Sequence, residues 1–170
     1  MGISAFGAGE LVFHTVKKET TFKPVSMKET IENAKTMNSK IKDISRQIED
    51  PDLINDIKEI NTTVDKIIST VEKKPDNFKK MNNFFGYYLP VTLNILTKYD
   101  EIENQRLNSE ESIAFMKNTE KMINKIKEAF KKQLGNLYQS DMIDTDAEMK
   151  VFDTMLKADG YDPENDFKIK

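Results

Sequence analysis

The chain has 170 residues with 38% apolar, 32% charged and 9% aromatic composition, which fits one ordinary soluble domain. It has no cysteine and a single histidine, so thiol catalysis, cysteine zinc sites and disulfides are excluded, and a His-rich metal site is disfavoured. The net charge is −3, and residues 141–170 alone hold nine acids and four bases. The near-neutral body argues against a nucleic acid partner, and no stretch has the roughly 18 uncharged apolar residues of a spanning helix.

The first 25 residues are set apart from the rest of the chain. Residues 2–16 are small and apolar and precede two lysines, which fits either a loosely docked N-terminus or the remnant of a hydrophobic anchor. Residues 19–25 include Pro24 and are predicted to form an extended linker.

Two amphipathic helices are predicted next. Ser26 and Glu29 form a capping box, and apolar residues then follow at steps of three and four up to Ile48. Asp50 and Pro51 suit the N-cap and first position of a second helix, which runs to Pro75. The short connection predicts an antiparallel hairpin.

The third helix contains an aromatic segment around a glycine and a proline: Phe84, Phe85, Gly86, Tyr87, Tyr88, Leu89 and Pro90. Asp76 is its predicted cap. Since a helical proline clashes with the carbonyl four residues earlier, here that of Gly86, we predict one helix kinked near Pro90, with two shorter helices as the alternative. We interpret Phe85, Gly86, Tyr87, Tyr88 and Pro90 as architectural, with Phe85 and Tyr88 packed inward. A base-stacking or ligand platform is the alternative.

The fourth helix is predicted to begin at Asn108 or Ser109 and to reach residue 138. Its outer side carries a basic face, with Lys127 and Lys131 alongside: Lys117, Lys121, Lys125 and Lys132. Such a face is either simply solvated or binds an anionic membrane surface or an acidic partner.

An acidic linker over residues 139–144 is predicted to lead to a short fifth helix, which Thr145 and Glu148 would cap and Gly160 would end. Val151, Phe152, Met155 and Leu156 would be buried. The predicted fold is all-α, an antiparallel four-helix coiled-coil-like bundle with a short C-terminal fifth helix. Its divisions are residues 1–25 (stub and linker), 26–138 (bundle), 139–160 (acidic linker and helix) and 161–170 (tail).

No catalytic template fits the sequence. It lacks a phosphate-binding GxxxxGK[ST] loop, a GxSxG elbow and an HExxH helix. Asp144 and Asp146 suit a helix N-terminus, where acids are stabilised by the helix dipole. The catalytic residues are therefore left unassigned, and neither a metal nor another cofactor is predicted.

Three segments carry a family resemblance. Residues 83–93 with 98–101, residues 130–157 in three pieces, and the turn at 71–75 resemble the XpaC-like family of 5-bromo-4-chloroindolyl phosphate hydrolysis proteins. The YYLP sequence at residues 87–90 is the most specific part. The similarity covers roughly residues 30–160.

The resemblance implies a bacterial helical protein that is usually preceded by hydrophobic membrane segments and is associated with toxic-anion (tellurite) resistance proteins. It leaves two hypotheses open. The first is a non-enzymatic interaction module at the cytoplasmic face of a membrane, binding protein partners, among them a toxic-anion resistance protein. The second is a phosphate-ester hydrolase with a carboxylate and metal site between helices. A converging carboxylate cluster would favour the second, and a dry aliphatic core the first.

Overall fold

The computed structural model describes residues 26–161. The N-terminal stub, the linker and most of the tail lie outside these residues. The described part consists of helices joined by short turns and contains no strand, so the all-α prediction is confirmed. The four α-helices are α1 (Met27–Ser45), α2 (Pro51–Lys73), α3 (Leu89–Asn104) and α4 (Glu110–Ala158). None of the helices described here combines the length and apolar character needed to cross a bilayer.

The helix starts follow the capping signals of the sequence. The Ser26 hydroxyl accepts the backbone N–H of Glu29 at 3.2 Å. The Asp50 carboxylate accepts the N–H of Leu53 at 2.7 Å, and Pro51 occupies the first turn of α2. At α4 the hydroxyl of Ser109, the second of the two predicted caps, accepts the N–H of Ser112 at 3.2 Å. Each cap satisfies a backbone donor that the first turn leaves unpaired.

The helices form two hairpins that lie side by side. Helix α1 packs against α2 and α3, and α4 also packs against α2 and α3. Within the first hairpin the helices are antiparallel: Lys35 of α1 pairs with Glu72 near the end of α2, and Asn38, further along α1, meets Asn61, earlier in α2. Between the hairpins they are parallel. Asp56 of α2 meets Lys127 at 2.8 Å, and Thr70, further along α2, meets Tyr138 further along α4 at 3.1 Å.

The core is mainly aliphatic, as the sequence stripes indicate. Fully buried side chains line all four helices: Ile41, Leu53, Ile57, Ile60, Ile67, Leu96, Ile123 and others. One polar contact interrupts it between α1 and α2. The Asn61 amide donates to the Asn38 carbonyl at 2.8 Å, and the buried Asn38 amide donates to Asp65 at 2.7 Å. Paired in this way, the asparagines avoid the cost of burying unsatisfied amides.

The segment before Pro90 differs from the predicted single kinked helix. A 3-10 helix covers Pro75–Met81, with Asp76 in its first turn rather than at its N-cap, and a π-helix covers Phe84–Tyr88. In that wider turn the Leu89 N–H donates to the Phe84 carbonyl, five residues back. The extra residue moves the proline ring away from the position it would clash with in a regular α-helix. The helical path therefore continues into α3.

The predicted acidic linker and separate fifth helix are wrong, because α4 runs unbroken from Glu110 to Ala158. A capping box marks the start of a helix only if the preceding residues are not already helical. Residues 139–144 contain neither a proline nor a glycine that would end the preceding helix. The predicted end is confirmed. Gly160 has φ +88°, and the Tyr161 N–H donates to the Leu156 carbonyl at 2.8 Å, as in a Schellman motif.

Candidate interaction surfaces

The predicted basic face lies on the solvent side of α4. Its four members are exposed and have no ion-pair partner among residues 26–161: Lys117, Lys121, Lys125 and Lys132. The two neighbouring lysines behave differently. Lys127 is 13% exposed and pairs with Asp56 at 2.8 Å, and Lys131 pairs with Glu59 at 2.5 Å. These two lysines connect α4 to α2, whereas the four exposed lysines make no ion pair within the described residues and face solvent.

The electrostatics of these two pairs follow their hydrogen bonds. The Asp56 carboxylate accepts from Lys127 and raises the pKa of that ammonium. The ammonium of Lys131 donates to Glu59 and lowers the pKa of that carboxyl group. The Lys127 ammonium and the Glu59 carboxylate are therefore held in their charged forms.

The aromatic segment has an inner and an outer half. Phe84 and Phe85 are 1% and 4% exposed, and the Phe84 ring meets Phe130 of α4 edge-on at 4.9 Å. Tyr87 and Tyr88 are 61% and 44% exposed and contact each other at 5.6 Å. The inward position predicted for Phe85 is thus confirmed and that of Tyr88 is wrong. The extra residue of the π-turn rotates the two tyrosines outward, which helical periodicity alone does not reveal.

A shallow groove lies beside the buried half of this segment. It has a volume of about 420 Å³ and is lined by α1, the 3-10 helix and the π-turn: Thr30, Asn33, Met37, Phe78, Asn82, Phe85 and Gly86. A side chain at Gly86 would meet open space. The lining contains no charged group, so it supplies neither an acid nor a base for catalysis.

The buried ionisable groups lie where α1 and α3 end. Glu103 is 8% exposed, its carboxylate accepts the Glu49 N–H at 3.3 Å, and burial raises its pKa. Arg106 donates to both oxygens of Glu49, and this hydrogen bonding lowers the pKa of the Glu49 carboxyl group. Nearby, burial and a 3.0 Å hydrogen bond to Glu120 raise the pKa of Tyr99. Across residues 26–161, no three acidic or histidine side chains converge as metal ligands.

The least expected surface is the α4 extension, residues 139–158, which continues beyond the bundle. Two polar contacts lie at its base: Tyr138 meets Thr70 at 3.1 Å, and Asp141 pairs with Lys74. Beyond this point large apolar side chains are 58–63% exposed: Met142, Ile143, Met149, Val151, Phe152 and Met155. The predicted burial of Val151, Phe152 and Met155 is therefore wrong, and Leu156 is half-buried.

The fold and these surfaces define an all-α protein whose best-formed features are a packed aliphatic bundle and a projecting apolar helix. A profile of the 5-bromo-4-chloroindolyl phosphate hydrolysis protein family matches residues 10–152. The chain belongs to this family, as the resemblance in the YYLP segment predicted. No curated protein and no solved structure matches the chain significantly.

Proposed function

We propose that this protein is a non-enzymatic helical module that binds a protein partner at the cytoplasmic face of a bacterial membrane. The α4 extension is the observation that carries this proposal. A lone helix with several large apolar side chains about 60% exposed keeps an unfavourable surface in water, and a second protein surface would cover it. A toxic-anion resistance protein, implied by the resemblance, is one candidate partner.

The bundle itself fits a scaffold role. Its interior is filled mainly by aliphatic side chains with a few aromatic rings, and the Asn38–Asn61 contact is internally satisfied. Such a core holds α4 in a fixed direction, because the buried half of the helix packs against both α2 and α3. The exposed half is therefore presented in one orientation, which lowers the entropic cost of binding.

The second candidate function is phosphate-ester hydrolysis, which the family description favours. Glu103, Glu49 and Arg106 would form its site, since a carboxyl group with a raised pKa can act as a general acid and a guanidinium can bind phosphate. If this were the activity, Glu103→Gln would abolish turnover of a nitrophenyl phosphate by the purified chain.

Two measurements on the full chain separate these functions. We expect purified protein to hydrolyse indolyl and nitrophenyl phosphates no faster than buffer, because no three acidic or histidine side chains of residues 26–161 converge to hold a metal for phosphate chemistry. In living cells, a photo-crosslinking phenylalanine analogue at Phe152 is expected to form a covalent adduct of one defined size with the partner protein. The same analogue at Phe115, a partly exposed position on the bundle, is the matched control. Turnover that depends on Glu103, with no adduct at either position, would overturn the proposal.

The basic face is proposed as a second contact surface, toward anionic lipid. Its support is the four exposed lysines that no described carboxylate neutralises. We expect binding to phosphatidylserine-containing liposomes that weakens with salt and with Lys121→Glu/Lys125→Glu, at about 1 kcal/mol per basic contact. The paired lysine Lys131 provides the control variant Lys131→Gln. Binding that is absent, or insensitive to salt, would leave the face simply solvated.

A further inference from the structure

A regular apolar seam runs along the α4 extension. Its members recur at alternating steps of four and three, and we name them the C-terminal seam: Tyr138, Met142, Thr145, Met149, Phe152 and Leu156. We propose that this seam pairs, as a short coiled coil, with an amphipathic helix of a partner protein whose apolar stripe is flanked by basic residues. This inference rests on the proposed function and names the chemistry of its partner.

The spacing identifies the mode of binding. Alternating steps of four and three are the a and d positions of a heptad repeat, which pack knobs-into-holes against a second helix. A groove of about 410 Å³ follows the seam and is lined by Met149, Phe152 and Leu156 together with Glu148 and Asp153. Residues 138–156 span about 28 Å at 1.5 Å per residue, so a partner helix of roughly 20 residues would cover them.

The other exposed apolar residues of the extension do not form such a seam. Ile143, Val151 and Met155 lie at steps of eight and four, so their row winds around the helix rather than staying on one side. A straight partner helix could therefore follow the C-terminal seam over three turns or more but not this second row.

The charges beside the seam determine which helix fits. Heptad positions g and e are the residues that flank an a/d stripe. On the g side stand Glu148 and Asp141, the latter already paired with Lys74 of the bundle, and on the e side stand Asp146 and Asp153. No lysine or arginine of the extension occupies a flanking position. A partner with lysine or arginine at its own flanks would therefore meet opposite charge along both edges.

The basic residues of the extension do not remove the excess of negative charge at the positions that flank the seam. Lys150 pairs with Asp146 at 3.0 Å and Lys157 with Asp153 at 2.9 Å, one helical turn apart in each case. Both pairs are largely exposed, and pairs of this kind contribute little to stability. Glu148 makes no ion pair within the described residues. The flanking carboxylates are thus free to exchange partners when a basic helix binds.

A second copy of this chain is a poor occupant on the same grounds. In a parallel pair, g residues of one helix face e residues of the other, and in an antiparallel pair each class faces itself. Both arrangements would bring carboxylates such as Glu148 and Asp153 together. Like charges across a coiled coil are destabilising, so the acidic flanks select against self-association and for a basic partner.

The test uses two designed helical peptides of equal length with identical leucine and isoleucine seams, one with lysine and one with glutamate at all flanking positions. Isothermal titration with the full chain is expected to show that the lysine peptide binds and that the glutamate peptide binds with an affinity at least about tenfold lower. Met149→Asp/Phe152→Asp should abolish binding, and Asp146→Lys/Glu148→Lys/Asp153→Lys should reverse the preference. Lys28→Glu/Lys40→Glu, an exposed pair on α1, should change neither.

Several results would overturn the inference. Equal affinity for both peptides, or no binding of either, would show that the seam does not select a basic helix. The in-cell adduct at Phe152 would then still decide the proposed function separately. A dimer in light scattering that Met149→Asp/Phe152→Asp dissociates would identify a second copy as the occupant. Tighter peptide binding after Val12→Asp/Phe13→Asp would identify residues 1–25 as the occupant.

Discussion

Replacing Phe84 with alanine tests how the π-turn before α3 is held against α4. The Phe84 side chain is 1% exposed and lies between Phe85, at 5.2 Å, and Phe130 of α4, at 4.9 Å, both edge-on. Truncating a buried phenylalanine costs about 3–5 kcal/mol through lost burial and the cavity left behind. Since a domain has about 5–15 kcal/mol of stability in total, Phe84→Ala should remove a large part of it.

Urea unfolding followed by circular dichroism measures this loss. With a slope of about 2 kcal/mol per molar urea, we expect the midpoint to fall by about 2 M. Tyr87→Ala, on the same turn but 61% exposed, is the matched control and should shift the free energy of unfolding by no more than about 0.5 kcal/mol. In a double-mutant cycle, Phe84→Ala and Phe130→Ala should couple by about 0.5–1.5 kcal/mol. Equal midpoints for Phe84→Ala and Tyr87→Ala would refute the packing argument.

Three further outcomes are expected. Asn61→Ala leaves the Asn38 side-chain oxygen without its 2.9 Å donor inside the core, so unfolding in urea should need about 1–3 kcal/mol less free energy, and an unchanged midpoint would contradict this. Gly135→Ala adds a Cβ that meets open space within α4, so it should raise the melting temperature by the equivalent of about 0.5–1 kcal/mol, and a lower melting temperature would indicate strain. Because burial raises the pKa of Glu103, the folded state holds its proton more tightly, and this residue's contribution to stability falls as the pH rises above the ordinary value of 4.5. Glu103→Gln should therefore become more stable than the parent as the pH rises from 4.5 to 7, and parallel pH profiles would count against a buried carboxylate.

Much of the bundle is predictable from sequence because its signals are local. The caps at Ser26, Asp50 and Ser109 each place an oxygen next to an unpaired N–H, and Pro51 and Gly160 limit their helices through fixed backbone preferences. These effects act within a few residues and need no knowledge of the tertiary fold.

The failures have equally definite causes. The π-turn at Phe84–Tyr88 adds one residue to the helical repeat, so counting by threes and fours put Tyr88 on the wrong side. At Thr145 and Glu148 the capping pattern was present, but nothing before it ended the helix. The absence of a breaker between residues 138 and 145 was the signal that could have revealed the α4 extension.

The candidate site was less predictable than the fold, because exposure depends on where the bundle stops. The apolar spacing from Tyr138 to Leu156 is the same kind of stripe as the buried ones earlier in the chain. Sequence periodicity cannot distinguish a stripe covered by the protein's own helices from one that projects beyond them. The length of α2 determines which part of the α4 stripe is covered, because α2 ends at Lys73, beside the base of the extension.

The most direct test of the central claim is a comparison of cysteine labelling in intact cells and in purified protein. The chain has no natural cysteine, so Phe152→Cys reports on the C-terminal seam alone and Asp144→Cys reports on another side of the same extension. We expect both to react with a permeant maleimide at similar rates when purified, and Phe152→Cys to be selectively protected in cells because a partner covers the seam. Equal labelling of both positions in cells, at the rates of the purified protein, would contradict the claim that the extension is a docking surface.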